Sequence, residues 1–224
     1  MTHNRADRVL KSYNLHILEI TDCDGDSGYP ANPSGNPELE PCHVIPERLR
    51  AFTNCHGVTD KAAGVHFYLD DFRFSGTWSF PERYIEMLRR FVCVLTPDFS
   101  VYVDMPEPLQ RFNAFRNKAV GKIWQMAGLE VIPTLRWGFP ESYDYCFDGL
   151  PIQSVVSLST VGLLKDEEHI KLFQDGAAEA VKRLMPTTIL AYGKTIDFDS
   201  GSSEVRWFEP ETIARLRAIS KGGE

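Results

Sequence analysis

The chain has 224 residues, of which 43% are hydrophobic and 12% aromatic, enough to bury one core at a length within the range of a single domain. Its net charge of −7, without a dense cluster of basic residues, argues against duplex nucleic acid as a partner. The polar amino terminus and the absence of a long apolar run predict neither a signal peptide nor a membrane span, so we expect a cytoplasmic protein.

The first 60 residues differ in pattern from the rest of the chain. Residues 14–21 (NLHILEIT) alternate like a strand, and residues 22–43 are rich in Gly, Pro, Asn and Asp, which predicts a long loop. A short helix is predicted over 46–53. We therefore expect residues 1–60 to pack on an α/β core domain formed by residues 61–224.

From residue 64 onward, short apolar or β-branched runs alternate with longer stretches of helical period. This is the pattern of βα units around a mainly parallel sheet. The predicted strands are 65–72, 92–99, 129–137, 154–161 and 187–193. The predicted helices are 81–91, 107–127, 166–185 and 210–219, with Gly128 and Pro186 as natural stops after the second and third.

Units of this kind form either an open doubly wound sheet or a complete or incomplete (β/α) barrel. We favour a barrel-like arrangement, because nearly every predicted strand ends in a polar or glycine residue. Such residues are expected of a ring of βα loops. In both folds, ligands bind at the carboxyl ends of the strands.

Segments near these predicted strand ends resemble a known family. They are FYLDDFRF (67–74), LTPDFSVYVDMPEPLQRFNAFRNKA (95–119), VIPTLRWGFPESYDYCFDGLP (131–151), VVSLSTVG (155–162) and TILAYG (188–193). In order and spacing they resemble a bacterial and phage family known only as domain of unknown function 4417. The resemblance covers residues 64–194 and implies relatives without implying a reaction. Pro133 and Thr134 stand where some relatives carry an Asn-containing segment, which puts a role for an amide there in doubt.

Four aspartates are the candidate catalytic residues. Asp70 and Asp71 follow the first core strand, Asp98 follows the second, and Asp148 lies in a later loop. Paired carboxylates can act as general acid and base in glycoside hydrolysis, or can hold Mg²⁺ or Mn²⁺ for phosphoester chemistry. The alternative is that each aspartate caps a helix or fixes a turn.

Candidate ligand-binding residues accompany the aspartates. Arg136 and Trp137 end the third strand, and they pair a bidentate anion ligand with a flat stacking surface. The alternative is an Arg136 that bridges to one of the aspartates and a Trp137 that only packs. The further candidates are Arg73, Tyr145, Ser159 and Tyr192.

The cysteines are odd in number and scattered, which predicts reduced thiols rather than disulfides; they are Cys23, Cys42, Cys55, Cys93 and Cys146. With His43 and His56, some of them could bind zinc, but their spacing matches no standard zinc pattern. Residues 22–33 begin like a calcium-binding loop yet lack its glycine and its final carboxylate. We predict no metal at either place.

Three functions remain open from the sequence. The first is a hydrolase that acts on a glycosidic or phosphoester bond through the strand-end carboxylates. The second is a non-catalytic binder of a small anionic or nucleotide-like ligand, for which we expect an aromatic floor of Trp137, Tyr145 and Phe147 beneath Arg136. The third is an interaction protein whose Asp, Arg and Trp residues form a buried polar network.

Overall fold

The computed structural model describes residues 33–162 and 166–210. Within these ranges lie seven strands, and every strand pair is parallel. They are β1 (Arg48–Ala51), β2 (Asp60–His66), β3 (Phe91–Leu95), β4 (Val131–Ile132), β5 (Val155–Ser159), β6 (Thr188–Tyr192) and β7 (Glu204–Phe208). The predicted α/β class with a parallel sheet is confirmed.

The strands form two sheets whose neighbours follow chain order. One sheet has the order β1-β2-β3-β4 and the other β5-β6-β7. A single parallel bridge between Thr134 and Ser157 joins them. Among the described residues β1 does not pair with β7, so no closed barrel is seen.

Helices fill the connections, as expected for βα units. They are α1 (Gly76–Ser79), α2 (Ile85–Leu88), α3 (Glu107–Met126), α4 (Tyr143–Phe147) and α5 (Glu167–Leu184). α3 begins after Pro106 and ends before Gly128, whose φ of 79° suits a residue without Cβ. Asp166 precedes α5 as its N-cap, and its side chain accepts a hydrogen bond from the His169 N–H. The predictions of helices at 107–127 and 166–185 are confirmed to within a residue at each end.

The two faces of the sheets have different neighbours. One face of the first sheet, with Val65 and Val94, packs on α3 through the fully buried Trp124. The other face joins side chains of both sheets, including Leu49, Leu95, Ile132, Val155 and Leu190, in one apolar cluster. Burying these side chains on both faces supplies the main driving force for this arrangement.

The sheets curve strongly toward this shared cluster. The rings of Tyr68, just after β2, and Tyr192, in β6, have centroids 5.1 Å apart. In a flat sheet these two strands would lie about 19 Å apart, since roughly 4.8 Å separates each pair of neighbours. Residues on the concave face therefore meet across the interior, which brings distant strand ends close together.

Some predicted elements are wrong. The predicted helix at 46–53 is strand β1 followed by a 3₁₀ turn at Phe52–Asn54, because Leu49 and Ala51 alternate into the core. Strand β7 was not predicted. The predicted helix at 81–91 is shorter and split into a 3₁₀ turn and α2. The predicted strand at 14–21 and nearly all of the helix at 210–219 lie outside the described residues.

Within the described ranges, no helix combines the length and the apolar character that crossing a membrane requires.

Candidate functional site

The loops after β2, β3 and β4 bring charged side chains together. Asp71 comes from the first loop, Asp98 from the second and Arg136 from the third. Asp98 interacts directly with Arg136, and the charge of Asp71 is close enough to act on Asp98. We call the group formed by Asp71, Asp98, Arg116 and Arg136 the strand-end site.

Asp98 and Arg136 form a buried two-point ion pair. Nε and Nη2 of Arg136 each donate to one carboxylate oxygen of Asp98 at 2.5 Å. The Asp98 side chain is 1% exposed, whereas that of Arg136 is 23% exposed. Burial alone would lower the pKa of Arg136, but the adjoining carboxylate raises it above its usual value, so the guanidinium stays charged. Asp98 therefore fixes Arg136 in one orientation.

Opposing influences act on the pKa of Asp98. Burial raises it, Arg136 lowers it, and the negative charge of Asp71 raises it further. The two-point geometry is that of an ionised pair. Asp98 is consequently committed to Arg136 and is not a free carboxylate.

A second arginine and aspartate lie beside the first pair in a looser arrangement. Asp71 accepts hydrogen bonds from the N–H of Ser100 at 3.2 Å and from its hydroxyl at 2.8 Å. Nη2 of Arg116 is 3.7 Å from Asp71, too far for a hydrogen bond. The Asp71 side chain is 33% exposed and that of Arg116 is 17% exposed.

The guanidinium of Arg116 lies over an aromatic ring. Its guanidinium carbon is 3.5 Å from the ring centroid of Phe99, and Nε is buried without a hydrogen-bond partner among the described residues. Burial lowers the pKa of Arg116, which Asp71 partly offsets. Within residues 33–162 and 166–210, Arg116 makes only the 3.7 Å ion contact and ring contacts.

Helix α3 holds the loop that carries this site. Asn117 accepts a hydrogen bond from the N–H of Phe99 at 2.9 Å and donates one to its carbonyl at 3.1 Å. One turn earlier, Asn113 donates to the carbonyl of Ser100 at 2.5 Å. The backbone next to Asp98 is thus fastened to the same helix that carries Arg116.

Tyrosine and serine side chains line the interior beside the ion pairs. The hydroxyl of Tyr68 lies 2.5 Å from Oγ of Ser157, which itself donates to the carbonyl of Leu190 at 2.8 Å, so Tyr68 is the donor. Burial raises the pKa of Tyr68, and the charge of Asp98 adds to the effect. Two predicted site residues also belong to strands of the second sheet. Tyr192 stacks on Tyr68, and Ser159 accepts a hydrogen bond from the N–H of Val161 at 3.1 Å.

His66 lies beside Tyr68 and Tyr192 and is fully buried. Its ring centroid is 4.4 Å from that of Tyr192, and Nδ1 accepts a hydrogen bond from the N–H of Tyr68 at 3.2 Å. Burial lowers the pKa of His66 to about 3, so the ring is neutral with its proton on Nε2. Nε2 has no hydrogen-bond partner among the described residues.

Several predicted site residues lie elsewhere. Asp70 is exposed and lies 3.4 Å from the exposed Arg73, away from the buried pair. Asp148 follows α4 directly and accepts a hydrogen bond from the hydroxyl of Ser34 at 2.6 Å. The structure therefore brings only Asp71 and Asp98 together from the four predicted catalytic aspartates.

The predicted aromatic floor beneath Arg136 is not formed. Trp137 packs in the core against Phe173, and a Cβ at Gly176 would come within 2.0 Å of its Nε1, so only glycine admits the ring there. Tyr145 is buried, with its hydroxyl donating to Gln110 at 2.9 Å. Phe147 packs in the same cluster as Trp137. These aromatic side chains fill the core between the helices and β5 to β7.

The sequence did not predict Arg116 as a site residue. The loop that carries Asp98 folds over the helix face that carries Arg116 and buries most of its side chain. The helical period places Arg116 away from the apolar stripe, but it carries no information about a distant loop. Tyr68, His66 and Ser100 were missed for the same reason.

A buried lysine lies near Asp148. Nζ of Lys118 donates to the carbonyls of Tyr145 at 3.1 Å and Ala114 at 3.3 Å. Burial lowers its pKa to about 8, although Cys146 and Asp148 partly oppose the change. The contacts of Lys118 join α3 to α4.

The amino ends of the strands hold a separate group of side chains. A cavity of about 280 Å³ lies there, lined in part by Lys61, Cys93 and Glu130. Cys42 donates a weak hydrogen bond to Glu130 at 3.6 Å, and burial raises its pKa to about 12. The four described cysteines are free thiols. No group of three or more metal-ligating His, Cys, Asp or Glu side chains occurs in the described part of the chain.

Comparison with known proteins places the chain in a family. The model of a family described as domain of unknown function matches residues 30–209, most of the chain. The chain belongs to the domain of unknown function 4417 family. All four members of the strand-end site fall within the residues that the family model covers.

Relatives of this family member occur in mycobacteriophages. The chain is 40% identical over 162 residues to a Gene 1 protein of Mycobacterium phage L5, an alignment that covers 70% of each chain. It is 38% identical over 162 residues to a Gene 1 protein of Mycobacterium phage D29, covering 70% of this chain but 60% of that relative. No solved structure gives a significant match.

Proposed function

We propose that the protein binds a small anionic ligand at the strand-end site, with Arg116 and Arg136 as the anion-binding groups. The observation that carries this proposal is Arg116, a largely buried guanidinium that makes no hydrogen bond within the described ranges. Arginine presents five donors in a planar fork that matches carboxylate and phosphate oxygens. Buried donors without partners are costly, and a ligand oxygen would satisfy them.

The two arginines have complementary roles in this proposal. Arg136 is held in place by Asp98, and its side chain is not fully buried. Arg116 is held by stacking on Phe99 rather than by hydrogen bonds. An anion that lies between them can replace Asp71 as the partner of Arg116 without disturbing the Asp98 pair.

The finer architecture supports a site of this kind. We infer that the two parallel sheets are parts of one incomplete barrel, since Thr134 bridges to Ser157 and the ring of His66 in β2 meets Tyr192 in β6. In parallel α/β folds the carboxyl ends of the strands are the usual place for ligands. The strand-end site lies at those ends.

Isothermal titration calorimetry at low salt tests the proposal with inorganic phosphate, pyrophosphate and ribose 5-phosphate as probes. We expect at least one to bind, and Arg116→Gln to weaken it about 10- to 100-fold, the effect of losing one or two charge-assisted hydrogen bonds. Arg89→Gln is the control, because Arg89 also lies beside a carboxylate, at 3.4 Å from Glu86, but at the opposite ends of the strands. Binding that survives Arg116→Gln would contradict the proposal.

A second candidate function is hydrolysis of a phosphoester or glycosidic bond at the same site. Asp71 favours it, because this carboxylate is partly exposed and lies beside two arginines. It could act as a general base, or as a ligand to Mg²⁺ or Mn²⁺ supplied with the substrate. Neither role is open to Asp98 while Arg136 occupies both of its oxygens.

Turnover of nitrophenyl phosphate and nitrophenyl glycosides, with and without Mg²⁺ or Mn²⁺, tests this candidate. We expect Asp71→Asn to abolish turnover and Asp70→Asn to leave it unchanged. The neighbouring Asp70 is a matched control because it is exposed and paired only with Arg73. Equal loss in both variants, or no turnover by the parent protein, would count against hydrolysis.

A further inference from the structure

Exposed aromatic rings flank the strand-end site. Tyr102 is 59% exposed and Phe112 is 44% exposed. The hydroxyl of Tyr102 lies 3.0 Å from Oγ of Ser100, the residue that holds Asp71, and Tyr102 is close enough to Arg136 to interact electrostatically with it. The ring of Phe112 lies 5.3 Å from the guanidinium carbon of Arg116. Each ring thus neighbours one of the two arginines.

These rings are fixed at one edge rather than free on the surface. Tyr102 is anchored through its hydroxyl to Ser100. Phe112 packs edge-on against Trp78, with centroids 5.5 Å apart and planes at 89°. Scattered exposed apolar side chains are ordinary, but ordered rings on either side of a cationic site offer a stacking surface at low entropic cost.

From this arrangement we infer that the ligand carries a planar ring beside its anionic group, as a nucleoside monophosphate does. The inference rests on the proposed function, because the arginines must first bind the anion. The anionic group lies against Arg116 and Arg136, and the ring stacks on Tyr102 or Phe112. Stacking of a base on an aromatic side chain requires no particular base, so selectivity among bases is expected to be weak.

Calorimetry with two matched probes separates the contribution of the planar ring to affinity from that of the anionic group. Ribose 5-phosphate and adenosine monophosphate share the sugar phosphate and differ in the base. We expect the nucleotide to bind about 10-fold more tightly, within the range that base stacking supplies. At least one of the variants Tyr102→Leu and Phe112→Leu is expected to bring nucleotide affinity down to that of ribose 5-phosphate, and both are expected to leave the ribose 5-phosphate affinity unchanged. Nucleotide affinity that survives in both variants would overturn the inference.

The control is Phe80→Leu, which removes an exposed ring, 56% accessible, from outside the site. Equal affinity for the two probes, or an equal loss in Phe80→Leu, would overturn the inference and leave anion binding intact. If neither probe nor inorganic phosphate binds the parent protein, the proposed function fails and the inference fails with it. Unchanged circular dichroism of each leucine variant would confirm that a lost affinity reflects the missing ring.

Discussion

The two arginine–aspartate pairs of the strand-end site are built differently. Asp98 and Arg136 share two hydrogen bonds of 2.5 Å in the interior, whereas Asp71 and Arg116 stand 3.7 Å apart and Asp71 is partly exposed. A tight buried pair resists change, because separating it leaves a charge without a partner. A loose pair with unused donors can exchange its partner. Under the proposed function, the first pair has a structural role and the second pair takes part in binding.

The largest expected effect comes from breaking the tight pair. Arg136→Met leaves the Asp98 carboxylate buried without its partner, so we expect a loss of about 3–5 kcal/mol in the free energy of unfolding. Arg116→Met should cost no more than about 1 kcal/mol, since Arg116 makes no hydrogen bond to the described residues. Urea denaturation of both variants measures the difference. Equal losses would show that the two pairs do not differ in this way.

A second prediction concerns His66, which is buried and neutral. The pKa of His66 is lowered to about 3, so below its ordinary value of 6.5 the unfolded chain binds a proton that the folded chain does not. Stability is therefore full above pH 6.5 and falls as the pH drops toward 3, by roughly 2.5 kcal/mol between pH 7 and 4.5. His66→Phe should remove this part of the acid sensitivity. Parallel pH profiles of the two proteins would contradict the prediction.

The buried Lys118 provides a smaller effect of the same sign, but at alkaline pH. Its pKa is lowered from 10.5 to about 8, so between these values the unfolded chain holds the extra proton and stability rises with pH. We expect a gain of about 1.3 kcal/mol from pH 7 to 9 relative to Lys118→Met. Thermal unfolding at both pH values measures this double difference. A gain shared by the methionine variant would assign it to other groups.

The smallest expected effect concerns the loose pair of Asp71 and Arg116 and its influence on anion affinity. Asp71→Asn removes the negative charge that competes for Arg116, so anion affinity should rise by about 3-fold. Asp98→Asn should instead weaken anion binding, because Arg136 loses the carboxylate that orients it. Calorimetry with inorganic phosphate compares the two. The same direction of change in both variants would contradict the division of roles.

The sequence predicted much of the framework because its signals are local. The helices α3 and α5 have long apolar stripes with clear stops at Gly128 and Pro186, and both were located. β1 was mistaken for a helix, since four residues with two arginines carry almost no period. β7 was missed because Glu204 and Arg206 interrupt its apolar pattern, as on an edge strand with an exposed face.

The site was only partly predictable, because its assembly depends on contacts between distant loops. Asp71, Asp98 and Arg136 were found because all three follow strands, whose ends meet in any parallel sheet. Arg116 comes from a helix, and its role depends on a loop that crosses it. Trp137 also follows a strand, but the absence of a side chain at Gly176 opens a place for its ring in the core. Such complementarity has no local sequence signal.

The hydrogen bonds from Asn113 and Asn117 to the backbone of Phe99 and Ser100 have a consequence for affinity. Fixing the backbone of one residue costs about 1–2 kcal/mol of conformational entropy. Residues 98–100 are ordered when the protein folds, so a ligand meets them already immobilised. For these three residues, the conformational entropy cost of about 3–6 kcal/mol is met during folding and does not reduce the binding free energy. A few contacts to a small molecule can then suffice for measurable affinity.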